Sequence, residues 1–249
     1  MYKVSVDESG THRGAAAMCV AFCLSTSTQW RAFTREWEPY ARKYPGGYHA
    51  TKASDADNDA LTGLVLRRVQ GLAAFTFPYD DFKELTTPAI RSEYGNEYAF
   101  GVRMCLAAVD RWCGREGKRW VSWVLEAGCP GSDHVKVLFD KLLLEPEEER
   151  YHVFSHRWVG KEELITHPAD LVAYEVERCY RGPASARLTA LGVQHRDFKR
   201  DDLASAVKIG TEKIKRGKWD RQRARAERRA QRRTRRGQSG DIHRWLDDD

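Results

Sequence analysis

Residues 2–10, Tyr2-Lys-Val-Ser-Val-Asp-Glu-Ser-Gly10, are the stretch that most strongly indicates the fold. Apolar and polar residues alternate from Tyr2 to Asp7, and this period of two is typical of a β-strand. Ser9 and Gly10 favour a tight turn directly after that strand, and Gly10 would allow a phosphate to approach closely. The pattern therefore predicts a first strand that ends at Asp7, with its carboxylate at the edge of a sheet.

The remainder of the chain alternates between strand and helix patterns, with an early helical insert after the second strand. Further strands are predicted at 15–24, 72–77, 120–126 and 151–157, and helices at 28–44, 58–69, 98–113, 132–144, 167–180 and 202–236, the last interrupted near Gly210 and Gly217. Residues 188–200 have no clear pattern. A hairpin followed by α/β units predicts an α/β, RNase H-like fold, with a mixed five-stranded sheet flanked by helices.

Length and composition limit the classes of protein to which the chain can belong. With 249 residues, 41% hydrophobic and 31% charged, it can form one sizeable domain with an extension. We predict an RNase H-like domain over 1–200 and a helical, Arg-rich extension over 201–249. No stretch approaches the roughly 18 consecutive apolar residues of a membrane span, and no apolar signal region precedes the first strand. We therefore expect a cytoplasmic protein without a membrane partner.

The six cysteines lie far apart and form no C-x-x-C pair. They are expected to be reduced and to pack as small apolar side chains rather than to form a disulfide framework. Cys19 and Cys23 lie four residues apart in a predicted strand and so share a face. A metal shared by these two thiols is the alternative, but core packing is the favoured interpretation.

The net charge of +6 is unevenly distributed. Residues 1–214 carry 29 basic and 30 acidic side chains, whereas the segment from Lys215 to Arg236 carries twelve Lys or Arg against two acids. A run this rich in arginine predicts binding to phosphates, and hence to RNA or DNA. The alternatives are a solvated basic helix and contact with an acidic partner. The predicted nucleic-acid-binding residues are Lys215, Arg216, Lys218, Trp219, Arg221, Arg223, Arg225, Arg228, Arg229, Arg232, Arg233, Arg235 and Arg236.

Three acids occupy comparable places in the predicted fold. Asp7 ends the first strand, Glu126 ends the fourth, and Asp170 lies in the first turn of the helix after the fifth. Because the first and fourth strands are neighbours in an RNase H-like sheet, these carboxylates would converge and attract Mg²⁺ or Mn²⁺. Such ions support phosphodiester hydrolysis. The structural alternatives are an exposed strand end for Glu126 and helix capping for Asp170.

Three segments together resemble the signatures of the DUF3800 family (domain of unknown function 3800). They are Val4-Ser-Val-Asp-Glu-Ser-Gly-Thr11, Val124-Leu-Glu-Ala-Gly128 and His167-Pro-Ala-Asp-Leu-Val-Ala-Tyr174. The resemblance spans residues 2 to about 180. It implies an RNase H-like fold and a divalent-metal nuclease centre, with Asp7, Glu126 and Asp170 as the metal ligands. The sequence departs from the family where Glu126 replaces an Asp common at such sites, and at Thr166-His167-Pro168.

Other side chains are weaker candidates. RNase H-like sites commonly add a glutamate at the start of the helix before the fourth strand, for which Glu97 is preferred over Glu93. His49, in a segment resembling one found after the first helix in this family, is a candidate for binding a phosphate or protonating a leaving group. An ordinary loop histidine is the alternative. Glu8 should point to the opposite face of the strand from Asp7, and is interpreted mainly as a turn or salt-bridge residue. The alternative is that a turn of the chain at this point lets Glu8 reach the metal.

Three functions remain open from the sequence. The first is a nuclease that depends on Mg²⁺ or Mn²⁺ and recruits its substrate, with RNA favoured, through the Arg-rich tail. The second is a nucleic-acid- or ribonucleoprotein-binding subunit in which the acids are structural. The third is a component of a larger mobile-element or antiviral assembly, in which cleavage requires a protein partner.

Overall fold

The computed structural model describes residues 1–12, 14–117, 120–144 and 152–216, which contain one mixed sheet with helices on both faces. The strands are β1 (Tyr2–Ser9), β2 (Ala17–Thr26), β3 (Gly71–Pro78), β4 (Val121–Glu126), β5 (Val153–Val159) and β6 (Gln194–Asp197). The helices are α1 (Ser27–Ala41), α2 (Asp55–Arg68), α3 (Tyr79–Leu85), α4 (Pro88–Tyr94), α5 (Glu97–Glu116), α6 (Ser132–Leu144), α7 (His167–Arg181) and α8 (Ala186–Leu191). Positions 200–216 are also helical.

The strands are arranged in the order β5-β4-β1-β2-β3-β6. β2 runs antiparallel to both β1 and β3, whereas β1, β4 and β5 are parallel to one another. An antiparallel hairpin that continues into parallel α/β units is the RNase H-like arrangement, so the predicted fold class is confirmed. The topology places β1 and β4 side by side within the sheet, with their carboxyl ends at the same edge.

The β1–β2 hairpin turns at a glycine that its backbone requires. Gly10 has φ +89°, and a Cβ at this position would lie 2.1 Å from the carbonyl oxygen of Ala17. Only glycine accommodates both the positive φ and this close approach. The absence of a side chain at Gly10 thus allows the backbone of β2 to lie directly against the turn.

The two faces of the sheet carry different helices. α1, α2 and α7 enclose one core with the inward residues of β2, which include Ala21 and Cys23. On the other face α5 packs so closely on β2 that a Cβ on Gly101 would lie 2.4 Å from Val20 Cγ2. All six cysteines are free, and both Cys19 and Cys23 belong to the first core, as their shared face predicted.

The structure differs from the sequence predictions in several elements. The sheet has a sixth strand, β6, parallel to β3, within the segment that had no clear pattern. α3, α4 and α8 lie in stretches for which no helix was predicted. The helix over 200–216 continues through Gly210, so the predicted interruption there is wrong, while Gly217 lies outside the described residues.

The chain divides into one compact unit over Met1–Leu203 and a second that begins at Ala204. Of the second unit, positions 204–216 are described and form helix. Among the helices in the described ranges, none combines the length and the apolar character needed to cross a bilayer.

Candidate active site: a carboxylate cluster at the strand ends

Asp7 and Glu126 are brought together by the pairing of β1 with β4. Val6 lies opposite Leu125 in this parallel pair, so the next residues, Asp7 and Glu126, emerge side by side at the carboxyl ends of the strands. Asp7 is buried, and its Oδ1 accepts a hydrogen bond from the backbone N–H of Glu8 at 2.8 Å. The predicted convergence of these two acids therefore follows directly from the register.

Asp170 reaches the same place from the first turn of α7. The helix begins at His167, with Pro168 in its first turn, where a missing N–H costs nothing. Asp170 is buried, and its Oδ2 accepts a hydrogen bond from the backbone N–H of Ala50 at 2.8 Å. Its side chain therefore holds the 48–53 segment, a role different from the helix cap that was the structural alternative.

The segment that carries Ala50 is anchored by α2. Tyr48 is buried and donates its hydroxyl proton to Asn58 Oδ1 at 2.6 Å, while Asn58 Nδ2 donates to the carbonyl of Ala50 at 3.2 Å. Asp57 in the first turn of the same helix fixes the start of the segment by accepting hydrogen bonds from Lys43, Tyr44 and Ser54. The position of Asp170 thus depends on a network built from α2.

His49 borders the cluster from the same segment. Its Nδ1 lies 3.7 Å from Asp170 Oδ2, and its side chain is one-third exposed. Burial lowers the pKa of His49, and the nearby Lys161 and Lys52 lower it further. The structure therefore brings this candidate residue to the acids with its ring favouring the neutral form.

Asp7 and Asp170 both have a raised pKa, because burial removes water from them and neighbouring acids repel their charges. Burial is the main cause of the raised pKa of Asp7, and repulsion from Glu8, Asp170 and Glu126 adds to it. Burial likewise raises the pKa of Asp170 to about 7, with Glu126 and Glu8 adding to the effect and the N–H of Ala50 opposing it. Raised pKa values of this kind are typical of carboxyl groups that are buried close to other carboxyl groups.

Glu8 is a fourth member of the cluster. Its partner in the β1–β2 register is Val20, on the α5 face of the sheet, so the prediction from strand alternation is consistent with the register. At the end of the strand, however, burial raises the pKa of Glu8 to about 7, and Glu126 acts in the same direction. Its Oε2 is buried without a hydrogen-bond partner. The sequence favoured a turn or salt-bridge role for Glu8 over a role at the metal, because strand alternation gives the direction of a side chain but not its distance from neighbouring acids at the strand end.

Lys161, in the connection between β5 and α7, was not predicted as part of the site. Its Nζ lies 3.3 Å from Glu126 Oε1. Burial acts to lower the pKa of the Lys161 ammonium, but attraction to Glu126, Asp7 and Asp170 raises it overall. As the side chains stand, no three His, Cys, Asp or Glu residues in the described part of the chain are placed to hold a metal ion.

The additional acidic candidates, Glu97 and Glu93, belong to α5 and α4. Glu97 begins α5, where burial raises its pKa and Arg91 lowers it. Burial raises the pKa of Tyr79, and the charges of Glu97 and Glu8 raise it further. Glu93 is exposed in α4. The structure thus brings Asp7, Glu126, Asp170 and His49 together, whereas Glu97 is linked to the cluster only through the effect that it shares with Glu8 on Tyr79.

Only the start of the predicted nucleic-acid-binding run falls within the described residues. Lys215 and Arg216 end the described helix, and Lys215 pairs with Glu212 at 3.0 Å. The other candidates, from Lys218 and Trp219 through Arg221 to Arg236, lie outside the described residues.

Comparison with known proteins found similarity at the level of solved structures. No family model and no curated protein matches the sequence. Ribonuclease H2 from Pyrococcus horikoshii OT3 is 10% identical with a TM-score of 0.44, covering 75% of this chain and 83% of its own. RNase HII of Archaeoglobus fulgidus, in complex with PCNA, is 10% identical with a TM-score of 0.42, covering 83% and 91%. A mutant of Bst-RNase HIII is 13% identical with a TM-score of 0.43, covering 71% and 51%.

Proposed function

We propose that this protein is a nuclease that depends on a divalent metal and hydrolyses phosphodiester bonds in nucleic acid, with RNA the favoured substrate. The observation that carries the proposal is the meeting of four acids at one edge of the sheet. Asp7 and Glu8 come from β1, Glu126 from β4 and Asp170 from α7, and their charges act on one another. Burial of so much negative charge is unfavourable unless a cation is present to offset it.

The donor set suits Mg²⁺ or Mn²⁺. Carboxylate oxygens are the hard ligands that these ions prefer, and the buried Oε2 of Glu8 lacks a partner within the protein. Asp7 and Asp170 each use one oxygen for a backbone N–H, and Glu126 uses one for Lys161. Since each carboxylate has two oxygens, Asp7, Glu126 and Asp170 would hold the metal after rotation of their side chains. A bound ion would activate water and offset the charge of the reacting phosphate.

The surrounding residues have separate tasks in this proposal. The ring of His49 would contact a substrate phosphate beside the acids, because it is partly exposed and lies 3.7 Å from Asp170. The Arg-rich run would retain nucleic acid near the site through contacts with phosphates. We also propose that the chain belongs with the DUF3800 family, on the strength of the three motifs that supply Asp7, Glu126 and Asp170, and that it acts in the cytoplasm.

The proposal is tested by incubating the purified full chain with labelled single-stranded and double-stranded RNA and DNA and with an RNA–DNA hybrid. We expect cleavage of at least one substrate with Mg²⁺ or Mn²⁺, none with EDTA, and a loss of about a thousandfold in Asp7→Asn. Asp110 lies in α5, where its Oδ1 is 3.5 Å from His152 Nε2, so Asp110→Asn is the matched control outside the cluster and should retain activity. Cleavage that persists in EDTA or in a folded Asp7→Asn variant would contradict the proposal.

A second candidate is a nucleic-acid- or ribonucleoprotein-binding subunit without catalysis. It is favoured by the ion pair between Lys161 and Glu126, which offsets part of the acidic charge without a metal. This candidate expects salt-sensitive binding that neither EDTA nor Asp170→Ala alters. Cleavage that appears only after a protein partner is added would instead favour an assembly-dependent nuclease.

A further inference from the structure

Lys161 faces the acids as a single, partly exposed ammonium group. Its Nζ lies 3.3 Å from Glu126 Oε1, and its side chain is 48% exposed whereas that of Glu126 is 13% exposed. The positive charge of Lys161 also acts on Asp7, Asp170 and Glu8. The single positive charge of Lys161 therefore acts on all four carboxylates, and the Lys161 side chain is the more exposed partner of the ion pair with Glu126.

The backbone of Lys161 is fixed by buried groups. His167 is buried, and its Nε2 donates to the carbonyl oxygen of Lys161 at 2.8 Å. The other ring nitrogen, Nδ1, accepts from Trp37 Nε1 at 2.8 Å, which sets the tautomer with the proton on Nε2. Gly47 packs against the same carbonyl, since a Cβ there would lie 2.4 Å from it. The ammonium is thus carried by a flexible side chain on a fixed point of the backbone.

A divalent ion at the proposed site and the ammonium of Lys161 would compete for the carboxylate of Glu126. An ammonium is compact and strongly hydrated, and its long stem allows the charged head to leave for solvent while its backbone stays in place. A divalent ion provides twice the charge and direct coordination, so it would displace the ammonium from Glu126. The ion pair would at the same time weaken metal binding, because it must be broken first.

We propose that Lys161 is the resident counter-cation of the carboxylate cluster, which holds Glu126 in the metal-free protein and yields that position when a divalent ion binds. The inference rests on the proposed function, since it requires that the acids bind metal. It accounts for the side-chain positions in the described residues, in which Glu126 is turned to Lys161 and no three ligands are yet assembled around one point. Lys161 is accordingly a positioning residue that sets the metal affinity.

The experiment is a calorimetric titration of MnCl₂ into the full chain as wild type, Lys161→Met, Lys161→Arg and Lys52→Met. Loss of the competing ion pair should tighten Mn²⁺ binding in Lys161→Met by roughly three- to tenfold. Lys161→Arg keeps the charge and should stay within about twofold of wild type. Lys52 is an exposed cation that acts on His49, so Lys52→Met measures the effect of removing a nearby charge and should tighten binding by less than about twofold.

A second readout is the melting temperature of the variants, which does not require a measured metal affinity. In EDTA, Lys161→Met should melt at a lower temperature than wild type because its acids have lost their counter-cation, and saturating MnCl₂ should remove the difference. Mn²⁺ affinity in Lys161→Met that is equal to or weaker than in wild type, or matched by Lys52→Met, would overturn the inference while leaving the proposed function intact. Absence of Mn²⁺ binding in wild type would overturn the proposed function and this inference with it.

Discussion

Asp170 illustrates at the scale of a residue how the site opposes folding when no cation is bound. Its folded-state pKa of about 7, against an ordinary value of 3.8, means that the folded protein retains a proton that the unfolded chain releases. In that interval of pH the folded state binds more protons than the unfolded state. The contribution of Asp170 to the free energy of unfolding therefore falls as the pH rises from about 4 to about 7, and is constant above that.

Asp170→Asn should remove this dependence, because the amide oxygen can still accept from the N–H of Ala50 but does not ionise. Urea unfolding in EDTA should show Asp170→Asn to be more stable than wild type at about pH 8, with the difference smaller at about pH 5 by about 1–3 kcal/mol. Saturating MnCl₂ should stabilise wild type more than the variant. A difference in stability that is the same at both pH values would contradict the burial of an ionising Asp170.

The sequence identified some site residues and missed others for clear physical reasons. Asp7 and Asp170 belong to recognisable sequence motifs, one at the end of β1 and the other at the start of α7. An acid at such a position is a typical candidate for a metal ligand. Lys161 is one of many lysines in the chain, and its partner is set by how the β5–α7 connection folds back over the strand ends. Glu8 was assigned to the opposite face from period-two alternation, which does not reveal that two adjacent acids remain within electrostatic reach.

At the scale of elements, α2 determines whether Asp170 keeps its place. Asn58→Ala would remove the bonds to Tyr48 and to the carbonyl of Ala50, and would leave the buried Tyr48 hydroxyl without its partner. We expect a loss of about 2–3 kcal/mol in the free energy of unfolding, together with Mn²⁺ binding weakened by about threefold or more because Ala50 is no longer held against Asp170.

The control for this variant is Thr62→Ala, one turn along the same helix. Thr62 is also buried, but its hydroxyl bonds within α2, to the carbonyl of Asn58. Denaturant unfolding and Mn²⁺ titration of both variants should therefore show reduced stability in each and weaker metal binding in Asn58→Ala alone. Equal Mn²⁺ affinity in the two variants would disprove the positioning role of α2.

The main elements were predictable because their apolar residues repeat with a clear period. β1 and β2 alternate or are continuously apolar, and the buried face of α5 recurs at helical spacing. β6 is four polar or charged residues, so its strand character comes from pairing with β3 and not from its own composition. α3 and α4 are seven residues each, too short for a periodic pattern to emerge.

At the scale of the whole molecule, charge is divided between a nearly neutral body and a basic run. If that run binds nucleic acid, replacing the arginines from Arg221 to Arg236 with glutamine should weaken binding and flatten its salt dependence. The slope on duplex should fall by about 0.9 for each phosphate that the variant no longer neutralises. Binding measured by fluorescence anisotropy over a range of salt concentrations tests this. The same change at Arg31 and Arg35, exposed on α1, should have little effect, and equal weakening in both variants would argue against a dedicated tail.

The proposed function requires that the acids at the ends of β1 and β4 and the start of α7 bind a catalytic divalent ion. It is tested most directly by a crystal structure of the full chain soaked in MnCl₂, with data collected at the manganese absorption edge. We expect an anomalous peak coordinated by Asp7, Glu126 and Asp170, with Lys161 Nζ moved away from Glu126 Oε1. Crystals that show no manganese among these side chains, with Lys161 still paired to Glu126 at 3.3 Å, would contradict it.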